Sequence, residues 1–468
     1  MNDACCSRRS FVRSLAAGSA LLPGLVARLL ADEARTSDDP LAPRQPHFPA
    51  KAKRVIFIYL SGGFSHVDSF DPKPRLVADH GKEIKADHPE IKNRPGYERI
   101  FLKRPQWTFA PHGRCGMEIS SLFPNLADCA DQIALIRSMH TSHSNHFNAT
   151  LGIHTGSFTV ARPSMGAWLS YGLGTENRNL PSFVVLAPHT PYAGQQVWAS
   201  DFLPAEHQGT WVVPGAEPIA NVRRRAPTAR LQEIELAALR ERNAEHLAER
   251  AGDPLLTARL RSFETAAGMQ LEAPDAFDLS KEDDGTLALY GLKRGQQSGF
   301  GWQCLVARRL CERGVRFIEL IDSGSSNNWD SHGDMMDHAR LAKNVDLPTA
   351  GLLRDLRRRG MLEDTLVVFT TEFGRTPFNS SAEHKGREHH NWAFSSWLAG
   401  AGVKAGSVYG ETDDIGMRVA RDPVHAHDFH ATILHLMGFD HTRLTFRHSG
   451  RDYRLTDVAG NVVSGLLT

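Results

Sequence analysis

Beyond its first 34 residues the sequence has no apolar run near the roughly 18 residues that cross a bilayer, which excludes a stable membrane span there. It also lacks an excess of charge of either sign. With 54 Lys and Arg against 53 Asp and Glu, the net charge is +1, so a broad nucleic-acid footprint is excluded. Cysteine is scarce: of six, Cys5 and Cys6 stand in the first few residues, leaving Cys115, Cys129, Cys304 and Cys311. None of these lies in a C-x-x-C zinc pattern, so a thiolate zinc module is not expected. Four cysteines allow three disulfide pairings, between which the sequence does not choose, and buried free thiols are an equal reading. No internal repeat or low-complexity tract is present, which excludes a solenoid. What remains, at 41% hydrophobic and 23% charged residues, is the composition of a globular protein.

The amino terminus reads as an address. Ser7-Arg8-Arg9-Ser10-Phe11-Val12-Arg13 precedes a weakly apolar stretch to Ala31 and then an acidic, Pro-containing segment. That order looks like a twin-arginine export signal over residues 1–34, which implies the twin-arginine export machinery as a partner and a periplasmic or secreted destination. Residues 35–52 are polar and Pro-rich, as in a linker. Residues 53–468 read as one α/β domain with a helical and loop insertion at about 188–295.

Within that domain, buried strands run into residues that carry chemistry. Val55 to Leu60 ends in Ser61-Gly62-Gly63-Phe64-Ser65-His66-Val67-Asp68. Ile133 to Arg137 precedes His140, His143 and His146, spaced by three, with a helix start near Asn145. Val315 to Ile321 leads into a Gly/Ser/Asn loop holding Asp330 and His332. Leu366-Val367-Val368-Phe369-Thr370-Thr371 shows no polar alternation, as in a strand covered on both faces, and runs into Glu372 and Arg375. In open α/β sheets ligands bind outside the carboxyl ends of the strands. Helices are expected over Ile119 to Asp131, Ser164 to Gly174, Leu231 to Arg250, Pro254 to Gln270 and Asp334 to Arg359, with a further helix start near Pro423. The long stretch from Pro188 to Arg225 reads as a loop of the length that usually carries function.

Imidazoles and carboxylates converging from several strand ends suit a divalent ion, zinc first, with manganese, calcium or magnesium as alternatives. Asp330, His332, Glu372 and His389 are the expected ligands, His66 and Asp68 complete the site, and His430 is an additional candidate. Ser144 or His146 is expected as nucleophile or oxyanion contact. Arg375, with Arg387, is expected to hold a tetrahedral oxyanion bidentately.

The stretch Asp355 to Gly374 resembles the part of sulfatases and alkaline phosphatases that ends in a metal-binding Asp-His-Gly. More closely, the chain resembles a bacterial sulfatase-related family, domain of unknown function fifteen-oh-one. The resemblance rests on Ser61 to Pro74, Asn328 to Gly333, Glu372 to Pro377, Gly386 to His389, His427 to Thr432 and Gly450 to Asp457. It implies an alkaline-phosphatase/sulfatase-like three-layer α/β/α core with a largely parallel sheet. It also implies a metal-dependent hydrolase of sulfate or phosphate esters, acting on a small anionic ester or a sulfated or phosphorylated glycan. Two departures stand out. The C/S-x-P-S-R motif that yields formylglycine in sulfatases is missing, its place taken by Ser142 to Asn148, and Phe373 stands where the superfamily has His. A non-catalytic binding protein for the same anionic glycans is the alternative expectation.

Overall fold

The computed structural model describes residues 39–85, 91, 97–250 and 253–468. The twin-arginine pattern lies outside the described residues. A nine-stranded sheet organises the molecule. In chain order its strands are β1 (Arg54–Tyr59), β2 (Ile133–His140), β3 (Phe183–Leu186), β4 (Thr210–Val212), β5 (Phe317–Ile321), β6 (Thr365–Thr370), β7 (Phe394–Ala399), β8 (Ser407–Tyr409) and β9 (Val424–His425). Across the sheet they lie as β8-β2-β7-β6-β1-β5-β3-β4, with β9 pairing β2 at its far end. Every pairing is parallel except the two made by β7, which runs against both β6 and β2. The fold is therefore mixed α/β with a largely parallel central sheet, as the unalternating apolar strands require.

The side chains of β1 show why both faces are dry. Ile56 and Ile58 pack on one side against Leu305 of helix Phe300–Glu312 and against Leu352 and Leu356 of helix Asp337–Arg358. Val55, Phe57 and Tyr59 pack on the other against Leu151, Leu169 and Ile433, from helices His146–Thr155, Met165–Leu173 and Ala426–Leu436. Helices therefore cover both faces in three layers, with the core split by the sheet.

Two local readings change. The helix expected over Ile119 to Asp131 is instead the strand Met117–Ser120 followed by the short turns Pro124–Ala127 and Ala130–Gln132. Pro124 lacks an N–H and its ring would strike the carbonyl four residues earlier, so it opens a helix and cannot continue one. The stretch Pro188 to Arg225 is not all loop: β4 extends the sheet beside β3. No helix among the described residues is long and apolar enough to cross a membrane.

At the carboxyl ends of the central strands the chain crosses itself closely. Gly62 has φ 110°, and a Cβ there would meet the Trp329 amide nitrogen at 2.7 Å and the Asn328 side chain at 2.8 Å. Only glycine lets the loops after β1 and β5 interpenetrate. The loop after β5 is anchored by Asp322, which accepts from Trp329 Nε1 at 2.7 Å and Ser61 N at 3.2 Å. Burial pushes the Asp322 carboxyl up to about 6, against those hydrogen bonds. A raised carboxyl favours the folded state fully below its ordinary value and loses that contribution as pH rises through the folded value. Between pH 4 and 6 the native chain should therefore lose about 2 kcal/mol relative to Asp322→Asn, measured by denaturant unfolding at each pH. Parallel stability curves for the two proteins would refute this.

Candidate metal centre

Four segments deliver the site. The loop after β2 enters helix His146–Thr155, whose start is fixed by Asn145: its side chain accepts from Phe147 N and Asn148 N. His146 thereby stands at the first turn. Beyond β6, Thr371 and Glu372 continue fully buried. The interlocked loop after β5 places Asp330 and His332. A two-residue ribbon pairs Gly374–Arg375 with His389–His390 and fixes His389 opposite Arg375.

The ligating atoms of His146, Asp330 and His389 all lie within 4.8 Å of one another. Asp330 is the hub. Its Oδ2 is 3.3 Å from His146 Nε2, and its Oδ1 is 2.9 Å from His332 Nε2, 3.2 Å from His389 Nε2 and 2.6 Å from Arg375 Nη2. The Nε2 atoms of His332 and His389 face each other at 3.0 Å. Every Nδ1 of the three rings is meanwhile held from behind. His146 Nδ1 meets Glu372 Oε1 at 2.7 Å, His389 Nδ1 meets the Ser144 carbonyl at 2.8 Å, and His332 Nδ1 meets Glu388 Oε2 at 3.0 Å. An acceptor at each Nδ1 holds the ring proton that remains when Nε2 binds an ion, the outer-shell arrangement that orients histidine toward a metal. His146 Nε2 is buried without a hydrogen-bond partner. Two imidazole nitrogens and one carboxylate, with His332 Nε2 beside Asp330 and His389, form a donor set that suits a divalent ion.

The electrostatics centre on Asp330, and against burial the hydrogen bonds to Asp330 and Glu372 raise His146. Burial opposes ionisation of Asp330, but hydrogen bonds from the three histidines and the Arg375 charge hold its carboxyl far below the usual range. Hydrogen bonds to Asp330 and Glu388 lift His332 to about 9. Burial lowers His389. A proton on His332 thus supplies positive charge next to Asp330.

The structure does not bring all the expected residues together. Glu372 stands behind His146, outside the cluster: Oε1 takes Gly62 N and His146 Nδ1, while Oε2 takes the Tyr59 and Thr371 hydroxyls, the hydroxyl and amide contacts being 2.8 Å each. Arg375 is no free clamp for an oxyanion. Its buried guanidinium donates to Gly62 O, Gly63 O and Asp330. Arg387 is also consumed, pairing with Asp68 at 2.6 Å. Asp68 is therefore one half of a buried ion pair, away from the cluster. His66 places Nε2 on Gly416 O at 2.9 Å, and His430 places Nε2 on Ile153 O at 2.7 Å. Both serve loop and helix carbonyls. His146, expected as nucleophile or oxyanion contact, has Nδ1 on Glu372 and turns Nε2 into the cluster, 3.3 Å from Asp330. Ser144 meets the cluster through its carbonyl and also lines a cleft of about 130 Å³ beside His389.

Sequence reasoning missed two participants. Glu388 was inside the Gly386 to His389 motif, and its neighbour relation to a ligand could have flagged it. Tyr192 stacks on the His146 ring at 4.1 Å and 10°, and comes from the long stretch expected to be functional. Burial lifts its hydroxyl to about 12.

The molecule is thus a three-layer α/β protein with an imidazole and carboxylate cluster at the carboxyl ends of its central strands. Residues 52–467 match the family described as protein of unknown function (DUF1501), and the chain belongs to that family. No curated protein matches it in sequence. Among solved structures it is similar to the PsFucS1 sulfatase from Pseudoalteromonas sp., with TM-score 0.36 and 14% identity over 89% of this chain and 71% of that one. It is also similar to the lipoteichoic acid synthase LtaP from Listeria monocytogenes, with TM-score 0.37 and 10% identity over 89% and 78%. A third is a TAB5 alkaline phosphatase mutant with Mg bound, at TM-score 0.31 and 11% identity over 80% and 97%. Likeness at that level carries no argument about what this chain does.

Proposed function

We propose that this protein is an exported metal-dependent hydrolase of sulfate or phosphate esters, sulfatase-like but without the formylglycine nucleophile. The observation that carries the reading is the cluster of His146, Asp330 and His389 ligand atoms within 4.8 Å of one another, with His332 Nε2 2.9 Å from Asp330 and each Nδ1 held by an acceptor. The ligands are these four residues, and zinc ranks first for such a set. A divalent ion held there would supply positive charge to an ester oxygen. The chain's own groups orient and position. Glu372, Glu388 and the Ser144 carbonyl set the three tautomers, and Arg375 holds Asp330 in place. Ser144, at the cleft beside His389, is the hydroxyl assigned to contact the ester. Hydrolysis breaks the sulfuryl or phosphoryl ester bond: water supplies the oxygen to the transferred group, and the alcohol leaves with a proton. The Ser7 to Arg13 pattern supports export.

Metal-loaded protein should turn over members of an aryl sulfate and aryl phosphate panel, and His389→Ala should not. A panel with no turnover at full metal occupancy would sink the hydrolase. It would leave a binding protein for sulfated or phosphorylated glycans, a reading favoured by one observation. Among the described residues the Ser144 hydroxyl hydrogen-bonds to no histidine or carboxylate, and the Ser142 hydroxyl pairs with His425 Nε2 at 2.9 Å, outside the cluster. An unactivated hydroxyl is a weak nucleophile. Because Glu372 acts through His146, Glu372→Gln should weaken metal affinity by ~10–100-fold. Competition against a chromogenic chelator measures this, and unchanged affinity would remove Glu372 from the centre.

A further inference from the structure

Tyr192 is placed to do more than cover His146. Its ring lies parallel to that imidazole, 4.1 Å away. Its hydroxyl oxygen accepts a hydrogen bond from Asn328 Nδ2 at 3.0 Å. Asn328 cannot turn to reverse the bond. Its Oδ1 accepts from Asp330 N at 3.1 Å, its Nδ2 also donates to Gly324 O at 2.9 Å, and Gly62 leaves no room beside it. With the amide nitrogen on the phenol oxygen, the phenol proton has to point elsewhere. Among the described residues no group accepts it. A half-buried hydroxyl stacked on a ligand of the cluster, with one lone pair occupied and its proton unspent, is a donor awaiting an acceptor.

We propose that the Tyr192 hydroxyl donates a hydrogen bond to an oxygen of a tetrahedral oxyanion bound at the His146, Asp330, His332 and His389 cluster, and that Asn328 is the positioning residue that aims it. The inference rests on the cluster being a metal centre, but it does not need turnover: it holds for a hydrolase and for a binding protein alike. It also supplies what Arg375 and Arg387 cannot, since both guanidinium groups are consumed by carbonyls and carboxylates. A neutral phenol suits a doubly charged oxyanion next to a cation, because it adds a donor without adding charge.

The test uses full-length protein loaded with cobalt(II), with inorganic phosphate and inorganic sulfate as probes. Metal content, melting temperature, the visible cobalt spectrum and calorimetric anion affinity are measured for the native chain and for Tyr192→Phe. Phenylalanine keeps the ring on His146 and removes only the hydroxyl. The expected result is the same cobalt content, spectrum and melting temperature, with the better-bound anion held roughly tenfold more weakly. Equal anion affinity in the two proteins overturns the proposal while leaving the metal centre standing. So does a native chain that holds cobalt but neither anion. Loss of cobalt in Tyr192→Phe overturns it too, by showing that the residue acts through His146. A native chain that takes up no cobalt overturns the metal reading itself, which is visible before any variant is made.

Discussion

Asp330→Ala should leave the purified protein with little bound metal where the native chain holds about one divalent ion, an affinity loss on the order of 100-fold or more. Loss of an outer-shell partner alone costs ~10–100-fold, and Asp330 is the one carboxylate that the three Nε2 atoms share. Its removal also takes the counter-charge from the buried Arg375 guanidinium, whose Nη2 sits 2.6 Å from Asp330 Oδ1, and leaves an uncompensated cation beside the site. Both effects act in the same direction. Elemental analysis of protein purified from its own host gives the native stoichiometry, and dialysis against chelator followed by reloading gives the variant's affinity. A second readout is independent of stoichiometry. His332, lifted to about 9, carries a proton at pH 7.5, and a metal can take its Nε2 only when that proton leaves. Metal uptake at pH 7.5 should therefore release at least about one proton per ion, since His146 is raised as well, seen as a buffer-dependent binding heat. A native chain that purifies without metal and ignores chelator would end this assignment.

What could be read from the sequence, and what could not, divides along a physical line. Leu366 to Thr370 was legible as a strand buried on both faces because its residues are apolar without alternation, and β6 is buried throughout. The strand ends were legible as the place for ligands, because a parallel sheet gathers its loops there. The orientation of individual side chains was not. Of the three evenly spaced histidines, only His146 enters the cluster, because Asn145 starts the helix there and His140 still lies in β2. Glu372 was read as a ligand from its position just beyond β6. Whether its oxygens face an ion or a ring depends on Tyr59 and Gly62, more than 300 residues away in the chain. His66 and Asp68 were drawn in because they follow a strand and two glycines. The partner that decides Asp68 is Arg387, 319 residues later, and no local pattern announces it.

That pairing makes the second large effect. Asp68→Ala should cost about 3–5 kcal/mol of unfolding free energy, because it leaves a buried guanidinium without its counter-charge. Both side chains are fully buried, with Arg387 Nε on Asp68 Oδ2 at 2.6 Å. Asp68 further accepts from Ser65 Oγ at 2.6 Å and Gln106 N at 2.9 Å, while Arg387 donates to the carbonyls of Thr376, Lys103 and Arg104. Burial alone would raise the Asp68 carboxyl, but the Arg387 charge and hydrogen bonds outweigh it and hold it below its ordinary value. A depressed carboxyl stabilises the fold above its unfolded value near 3.8 and loses that contribution as pH falls through the folded value. The native chain should accordingly lose more stability on acidification than Asp68→Ala does. Replacing both partners, as Asp68→Leu with Arg387→Met, should recover part of the loss, since apolar residues of similar volume do not demand a counter-ion. The same variant separates the two roles proposed for this residue. A structural carboxylate predicts a destabilised protein that still binds its metal when folded. Full stability with lost metal would instead return Asp68 to the ligand set that the sequence suggested.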